Sequence, residues 1–597
     1  MTSRAHWSEG LNAAQREAVS YDAGPVAVLA GPGTGKTRVI THRIARLIDR
    51  DGSRPESIAA VTFTVKAAKE MSERLGVLIG ESPASQVSVG TFHSLGRRIL
   101  GRWGDTIGVP GRSELMDSVQ RKRMLREASR LAIDEGRVPG ALLADGGVDA
   151  LVTRAWAWIE YLRTSAVFAD ESMKLATRWM EWINEQEGSD DWDDERAAAE
   201  RINAEELSAS SAIYAHFERI RLDRGLLGFD DYIMLPIRVL RESERARAWI
   251  LDELRHVVVD EFQDVNGAQL AFLRELSPPG KNRDICVVGD DDQAIYGFRG
   301  SDDRAFQHFA EIWRGAEVVT LTENYRSSEA VLTTAHRVIS ASHDRFEPEK
   351  EIQARRVFED APGQVVAVHV AGPAEEGVTI AAMILKDLAE HEGRDLSRIA
   401  VIGRSHTTVS EIGRALELEG IPVDFSQTKR YEEDEAVLDV KAWIGLVTGV
   451  PGPWVMRLLV RPPVALPPEL AVGLVSAYAS HERQARVEGA EPKSVGSFLA
   501  ERAEEHAGLG RLSELLSEFV AEAAVRSAEE MVRLIIERTG VAHRELPSPR
   551  EEARRVRALA TFIGFVRTLQ ARIDAPGDLA SFQRYYCLLY TSDAADD

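Results

Sequence analysis

Two apolar runs in the sequence end directly at residues that can carry chemistry. The run Val26–Ala30 is uninterrupted, as expected for a strand buried on both faces of a parallel sheet. After a glycine-rich segment, residues 38–48 place apolar side chains at helical spacing. A second run, Val257–Val259, leads straight into two acidic residues. The pattern predicts two strands of one parallel sheet, each with a functional loop at its carboxyl end.

The pattern becomes helical between these two strands and again late in the chain. Amphipathic runs at 120–131, 175–183 and 212–220 predict a helical domain inserted into the first sheet domain. From Ala316 onward, strand and helix patterns alternate again, which predicts a second parallel sheet. Its predicted strands are 318–322, 363–370 and 399–403.

We therefore expect an α/β protein with two sheet domains, each accompanied by a helical insertion. The expected parts are the first α/β domain at 1–103 and 236–305, its helical insertion at 104–235, the second α/β domain at 306–435 and a second helical insertion at 436–585.

Composition limits the class of protein. The chain has 597 residues, of which 44% are hydrophobic, so it is long enough for several domains. We find no apolar run of membrane-spanning length and no secretory signal. Two cysteines, Cys286 and Cys587, make neither a disulfide framework nor a zinc site. We expect a cytoplasmic protein that does not bind membranes.

The formal net charge of −22 argues at first sight against a polyanionic partner. Net charge governs long-range behaviour, however, whereas a groove lined locally by basic side chains and N–H groups still binds phosphates. The charge therefore weakens a nucleic-acid hypothesis without excluding it.

The segment between the first strand and its helix has the composition of a phosphate-binding loop. Glycines at three positions permit left-handed backbone, so that several N–H groups can converge on phosphate oxygens. A lysine adds positive charge, the next hydroxyl suits Mg²⁺, and the helix N-terminus favours an anion. The first glycine of the general pattern is replaced by alanine. The predicted phosphate-binding residues are Ala30, Gly31, Pro32, Gly33, Thr34, Gly35, Lys36 and Thr37.

Asp260 and Glu261 follow the second apolar run at the predicted edge of the sheet. In a nucleotide-hydrolysing site, Asp260 would hold Mg²⁺ together with Thr37, and Glu261 would orient or deprotonate the attacking water. Taken alone, the same pattern also describes a strand followed by solvated acids. The nearby phosphate loop favours the catalytic interpretation.

Further segments complete an ordered set of motifs, and these lie at 11–19, 61–68, 89–94, 229–231, 287–300 and 321–327. With the phosphate loop and the acidic strand end, the set resembles the superfamily I DNA helicases of the UvrD/PcrA/Rep type. The resemblance runs through nearly the whole chain. It implies two RecA-like P-loop NTPase domains, the second of them incomplete in this sequence.

The resemblance implies that both sheet domains contact ATP. It assigns Gln15 to the adenine edge, Arg38 and Tyr325 to stacking on adenine, and Gln293 and Arg326 to the γ-phosphate. The implied catalytic residues are Lys36, Asp260, Glu261, Gln293 and Arg326, and the implied cofactors are ATP and Mg²⁺.

The resemblance also implies a site for single-stranded DNA, formed by Phe63, Lys66, Thr91, His93, Tyr296, Phe298 and Arg299. Phe298 stands where many members carry tryptophan, which reduces the area available for stacking on a base. The motif residues also have ordinary interpretations. Phe63 and Phe298 could be core aromatics, His93 a structural histidine, and Arg326, from the ATP site, part of a surface ion pair.

The resemblance ends before the last two motifs of the family, Thr-x-His-x-x-Lys-Gly-Leu-Glu and Tyr-Val-Ala-x-Thr-Arg-Ala, which do not occur in this sequence. Residues 587–597 resemble translated sequencing adapter. We therefore expect 586–597 to be a non-native tail and the chain to be a truncated form with little activity of its own. A genuine short form is the alternative.

The sequence thus predicts an ATP-dependent 3′-to-5′ DNA helicase or translocase that acts on single-stranded DNA and DNA junctions in repair or recombination. Polarity is implied by the resemblance alone. Two alternatives stay open: an accessory subunit that binds ATP and DNA without productive turnover, and the helicase part of a helicase-nuclease. Nothing in the sequence indicates the protein partners or the oligomeric state.

Overall fold

The structure is a computed structural model of the chain. It describes residues 6–22, 24–110, 113–116, 118–144, 146–186, 194–280, 284–342, 345–356, 363–391, 393–424, 434–449, 454–487, 493–544, 549–570 and 578–583. The expected non-native tail, 586–597, lies outside these ranges. The described residues up to Val366 form one compact unit, and those from Ala367 onward form a second.

A parallel sheet is the centre of the first unit. In chain order the strands are β1 Val26–Ala30, β2 Ile58–Thr62, β3 Ser88–Thr91, β4 Glu114–Leu115, β5 Leu226–Leu227, β6 His256–Val259, β7 Asp284–Gly289, β8 Glu317–Leu321, β9 Glu323–Asn324 and β10 Gln353–Ala354. Six of these described strands form the sheet, in the order β3-β2-β6-β7-β1-β8, and each neighbouring pair is parallel. The strands predicted at 26–30 and 256–259 are confirmed and share this sheet.

Helices cover both faces of the sheet. They are α1 Ala13–Ser20, α2 Lys36–Asp49, α3 Val65–Ile79, α4 Glu81–Gln86, α5 Phe92–Trp103, α6 Ser118–Asp134, α7 Gly140–Ala144, α8 Gly147–Thr164, α9 Ala169–Gln186, α10 Asp194–Asp223, α11 Asp231–Glu242, α12 Glu244–Glu253, α13 Gly267–Leu276, α14 Ala305–Ile312 and α15 Glu329–Ile339. Successive β1 residues alternate between two hydrophobic cores: Ala27 and Leu29 pack into one, and Val26 and Val28 into the other. All five β1 residues are buried, which explains the uninterrupted apolar run.

Helices α6 to α10 contain the three amphipathic runs predicted at 120–131, 175–183 and 212–220. They share a hydrophobic core of their own, separate from the two cores of the sheet. Arg163 and Arg221 tie this helical region to the start of α11, because both guanidinium groups contact the buried carboxylate of Asp231 at 2.6 Å.

Strand β8 differs from its predicted place. We expected the residues from 306 onward, including this strand, to open the second α/β domain. Instead β8 pairs with β1, with Val26 opposite Glu317 and Leu29 opposite Thr320, and forms an edge of the first sheet. Local alternation predicts that a strand exists, but the path of the chain decides which neighbour supplies its hydrogen bonds.

The second unit is helical in its described residues. Its helices are α16 Pro373–Glu390, α17 His406–Leu418, α18 Glu435–Val447, α19 Trp454–Val460, α20 Pro468–Val487, α21 Val495–Ala500, α22 Ala507–Ala523, α23 Ala528–Thr539 and α24 Pro549–Gln570. The strands predicted at 363–370 and 399–403 are not formed, since no described strand pairs with either segment. Several apolar side chains there are exposed, with Ile402 92% exposed, whereas Ile399 and Val401 pack partly buried against a hydrophobic core of the second unit. The expected second parallel sheet is therefore not present among the described residues.

Among the described helices, none combines the length and the apolar composition that crossing a membrane requires.

Candidate functional site

The segment between β1 and α2 forms a tight loop at the end of a buried strand. Gly33 and Gly35 have φ angles of 71° and 93°, in the left-handed region that glycine adopts without strain. The Thr34 hydroxyl donates to the Gly31 carbonyl at 2.7 Å and closes the loop. Helix α2 begins at Lys36. The loop thus leads into the N-terminus of a helix, where backbone N–H groups favour an anion.

Gln15 braces this loop from α1. Its Nε2 donates to the Thr34 carbonyl at 2.8 Å, and its Oε1 accepts from the Asn12 backbone N–H at 3.1 Å. The side chain is buried, and a Cβ at Gly35 would lie 2.7 Å from Nε2. Both ends of the Gln15 amide are therefore engaged in hydrogen bonds within the protein. The adenine contact stays a prediction.

The acidic pair at the end of β6 lies beside the loop. Glu261 Oε2 is 2.9 Å from Lys36 Nζ, so the structure brings these two predicted catalytic residues together. Glu261 has a φ of 49°, which is uncommon for a residue other than glycine and is typical of functional sites. Asp260 is 7% exposed. Burial, and secondly the charge of Glu261, raise the pKa of Asp260 to about 6.

A further carboxylate, Asp264, lies near this pair. Burial, and then the Glu261 charge, raise the pKa of Asp264 to about 6. Its Oδ1 is buried and has no hydrogen-bond partner within the described residues. Two buried carboxylates whose pKa values stay raised despite the nearby Lys36 charge, one of them with an unpartnered oxygen, fit a hard divalent cation with oxygen ligands. The residues therefore fit the predicted Mg²⁺, with Thr37 in the first turn of α2.

Residues that follow β9 pack directly on the phosphate loop. The Tyr325 backbone N–H donates to the Gly33 carbonyl at 3.0 Å. Asn324 is fully buried; its Oδ1 accepts from the Arg326 and Ser327 N–H groups at 2.8 and 2.7 Å, and its Nδ2 donates to the Pro32 carbonyl. A Cβ at Gly33 would lie 2.6 Å from the Arg326 Cβ. The structure thus places Tyr325 and Arg326 at the loop, and their contacts with ATP stay a prediction.

The ring of Tyr325 is 44% exposed. Its hydroxyl donates to Glu323 Oε2 at 2.6 Å and accepts from Asn12 Nδ2 at 3.1 Å. The bond to Glu323 is the main cause that raises the pKa of Tyr325. Arg38 is exposed on the first turn of α2, and its guanidinium lies against Gly10. Stacking of either residue on adenine stays a prediction.

Hydrogen bonds lead from Glu261 to Gln293 through two residues that the sequence analysis missed. Gln263 Nε2 donates to Glu261 Oε2 at 2.9 Å, and Gln263 Oε1 accepts from the Asp290 N–H at 2.9 Å. Gln293 Nε2 then donates to Asp290 Oδ2 at 2.6 Å. Gly289 permits this approach, because a Cβ there would lie 2.4 Å from Gln263 Oε1. The sequence offered one indication of this role: Gln263 lies among acidic residues, and its amide can both donate and accept hydrogen bonds.

Three of the predicted DNA-binding aromatics lie together. The Phe63 and Tyr296 rings stack with centroids 5.8 Å apart, and the Tyr296 and Phe298 centroids are 6.1 Å apart. Phe298 is 79% exposed, so its interpretation as a core aromatic is wrong. Phe63 and Tyr296 are partly buried, so Phe298 is the exposed member of this aromatic row, and an exposed ring is suited to stacking on a base.

The other predicted DNA contacts have varied surroundings. His93 stacks on Phe229 with ring centroids 3.8 Å apart, and burial lowers the pKa of His93 to about 4, so the imidazole is neutral at pH 7. Thr91 caps α5 by accepting from the Ser94 N–H at 3.3 Å. Lys66 is exposed on the first turn of α3. The Arg299 side chain lies outside the described part of the structure.

Comparison with known proteins decides the family. Residues 11–312, about half of the chain, match the family model of the UvrD/REP helicase N-terminal domain. The chain belongs to the UvrD/REP helicase family. Residues 319–449 match the family's second domain, the UvrD-like helicase C-terminal domain.

The chain is also similar to named proteins of known bacteria. The ATP-dependent DNA helicase PcrA of Leuconostoc citreum is 29% identical over 446 residues, which cover 74% of this chain and 53% of that protein. The ATP-dependent DNA helicase UvrD1 of Mycobacterium tuberculosis is 31% identical over 447 residues, which cover 73% and 52%. The chain therefore spans about half the length of the UvrD/REP relatives that it matches.

Proposed function

We propose that this UvrD/REP family member is an ATP-dependent DNA helicase or translocase that moves 3′-to-5′ along single-stranded DNA in repair or recombination. One observation carries the proposal: Lys36 Nζ lies 2.9 Å from Glu261 beside the buried Asp260, at the phosphate loop on which Arg326 packs. The family of the chain supports it, and so does its similarity to two ATP-dependent DNA helicases.

The chain's own residues supply the parts that nucleotide hydrolysis requires. Mg²⁺ held by Thr37 and Asp260 would neutralise charge on the phosphates. The Lys36 ammonium pairs with Glu261 in this structure. A bound triphosphate would compete for that ammonium, and the released Glu261 carboxylate would then be available to take a proton from water. Gln293 and Arg326 would contact the γ-phosphate.

The aromatic row formed by Phe63, Tyr296 and Phe298 supports single-strand binding. Every base has a π-face, so stacking gives a grip that tolerates any sequence. Tyr296 and Phe298 lie three and five residues beyond Gln293 on one short segment. A change at the γ-phosphate would thus be transmitted to the bases along that segment, which is what a translocase needs.

Nucleotide binding by the purified chain, and turnover by a longer form that also carries the two motifs missing from this sequence, test the proposal. We expect Mg²⁺-dependent binding of a fluorescent ATP analogue, its loss in Lys36→Ala, and phosphate release stimulated by oligodeoxythymidine. A duplex with a 3′ tail should be unwound in preference to one with a 5′ tail. Absence of nucleotide binding in the folded wild-type chain would refute the site, and binding without DNA-stimulated release would favour the accessory-subunit alternative.

A further inference from the structure

Three consecutive carboxylates follow β7 and lie close to one another. One carboxylate oxygen from each of Asp290, Asp291 and Asp292 lies within 4.8 Å of the others. Asp290 is 1% exposed. Like charges at this spacing repel, and burial makes the repulsion stronger, so the cluster needs a positive partner.

Lys350 supplies that positive charge from a distant part of the chain. Its Nζ is 2.7 Å from Asp290 Oδ1 and 3.1 Å from Asp292 Oδ2, and it also contacts Asp291. The lysine is 3% exposed. Burial lowers the pKa of Lys350, but the facing carboxylates, Asp290 first, hold it above its ordinary value. The Lys350 ammonium therefore occupies the position among the three carboxylates that a bound metal ion would take.

A second cation from the same segment contacts the cluster differently. The Arg345 guanidinium donates to both carboxylate oxygens of Asp292, at 2.8 and 2.9 Å. The Phe346 N–H donates to Asp291 Oδ2 at 2.9 Å. Residues 345–350 are thus fixed on the cluster; among these contacts Lys350 makes the hydrogen bond to Asp290, whereas Arg345 acts on Asp290 through its charge.

The contact to Asp290 matters because that carboxylate also holds Gln293. Asp290 Oδ1 accepts from Lys350, while Oδ2 accepts from Gln293 Nε2 at 2.6 Å. A carboxylate bound at both oxygens has one orientation. Without the ammonium, the buried Asp290 would be left unpaired, which favours rotation, protonation or entry of water. Gln293 would then lose a fixed partner.

We propose that Lys350 is a positioning residue that holds Gln293, through Asp290, in the orientation needed to distinguish ATP from ADP. The inference rests on the proposed function, in which Gln293 contacts the γ-phosphate. It assigns nucleotide discrimination to a lysine that contacts neither nucleotide nor DNA. Lys350 lies in the chain segment that follows α15, so the position of that segment affects the orientation of Gln293.

Matched variants separate this role from simple bracing of the fold. Lys350→Met and Arg345→Met each remove a buried cation from the same acidic cluster, but only the first removes a hydrogen-bond donor to Asp290; the second removes a donor to the Lys350 backbone carbonyl and keeps the Lys350 ammonium. Affinities are measured by fluorescence anisotropy for a labelled non-hydrolysable ATP analogue and for labelled ADP, both with Mg²⁺. We expect Lys350→Met to reduce the ATP-over-ADP preference about tenfold, since a charge-assisted contact is lost, and Arg345→Met to keep it. Equal losses in the two variants would overturn the proposal.

A double-mutant cycle tests whether the effect passes through Gln293. In a Gln293→Ala background, Lys350→Met should cause no further loss of preference, whereas additive losses would overturn the proposed route.

Hydrogen exchange of the nucleotide-free chain gives an independent measure. Peptides covering 287–300 should exchange faster in Lys350→Met than in Arg345→Met, and equal exchange would contradict the positioning role. If the wild-type chain binds neither nucleotide, the proposed function fails, and the exchange comparison still decides whether Lys350 fixes this segment.

Discussion

Glu261 combines a strained backbone with a paired carboxylate. Its left-handed φ of 49° turns the chain at the end of β6, and its Oε2 contacts both Lys36 and Gln263 at 2.9 Å. Strain of this kind persists only where surrounding contacts enforce it, and it marks functional positions. The carboxylate is therefore held where it can exchange the ammonium of Lys36 for a water molecule.

Glu261→Gln should separate binding from hydrolysis. The amide keeps the size of the side chain but cannot take a proton from water, so DNA-stimulated phosphate release should fall about 100-fold or more. Binding of Mg²⁺·ATP should persist, because Lys36 is freed from its ion pair. Stopped-flow phosphate release and equilibrium nucleotide binding measure the two effects. Wild-type hydrolysis in this variant would exclude Glu261 as the base.

Asp260→Asn should stabilise the metal-free protein while impairing Mg²⁺-dependent binding. The folded-state pKa of about 6 exceeds the ordinary value of 3.8, so folding favours the protonated form. The unfolding free energy therefore falls as pH rises between these values, and the ionised Asp260 destabilises the fold at pH 7 by up to about 3 kcal/mol. Urea unfolding at pH 7 and pH 4, without metal, should show the gain at pH 7 only. A gain of equal size at both values would contradict this cause.

At the scale of elements, the short strand β9 connects the end of the first sheet to the phosphate loop. Asn324 makes this connection, which is called the joint below. All three of its side-chain hydrogen bonds go to backbone groups, at Pro32, Arg326 and Ser327. Strand β10 pairs with β9 and places Ile352 so close to the loop that a Cβ at Gly31 would lie 2.6 Å from its Cδ1. The loop is thus shaped by residues far away in the sequence, such as Asn324, 292 positions from Pro32.

Asn324→Ala should loosen this joint. Three buried backbone groups lose their partner, and each lost bond costs about 0.5–1.5 kcal/mol, so the thermal midpoint should fall by several degrees. Nucleotide affinity should fall as well, because Arg326 is no longer held against Gly33. Differential scanning calorimetry measures the first effect and anisotropy titration the second. Thr334→Ala, which removes an exposed hydroxyl on α15, is a control for surface substitution.

At the scale of the whole molecule, the net charge of −22 repels a polyanion, so single-strand binding should depend on local basic contacts, which salt weakens. Lys66→Ala should reduce the slope of log K against log salt by about 0.7 if this lysine contacts a phosphate.

Phe298→Ala should weaken binding by about 1–3 kcal/mol and leave the slope unchanged, because stacking releases no counterion. Its thermal midpoint should stay unchanged too, since the ring is 79% exposed. An altered slope in Phe298→Ala would contradict stacking.

Sequence alone predicted those features that depend on neighbouring residues. The apolar run of β1, the glycines of the loop and the helical spacing of α2 are local patterns, and the structure confirms each element. The acids after β6 were predicted for the same reason, since parallel strands end at one edge of a sheet. The family was also predicted from the order of motifs, which the comparison confirms.

Tertiary structure decided which distant groups meet. Whether β8 joins the first sheet, whether segments 363–370 and 399–403 find a strand partner, and which cation neutralises Asp290 to Asp292 depend on the path of the chain. Gln263 and Lys350 were missed because a single glutamine or lysine has no local pattern that reports burial. Their roles arise only because buried carboxylates require hydrogen-bond donors or positive charge nearby. The sequence does not show which residues become buried together.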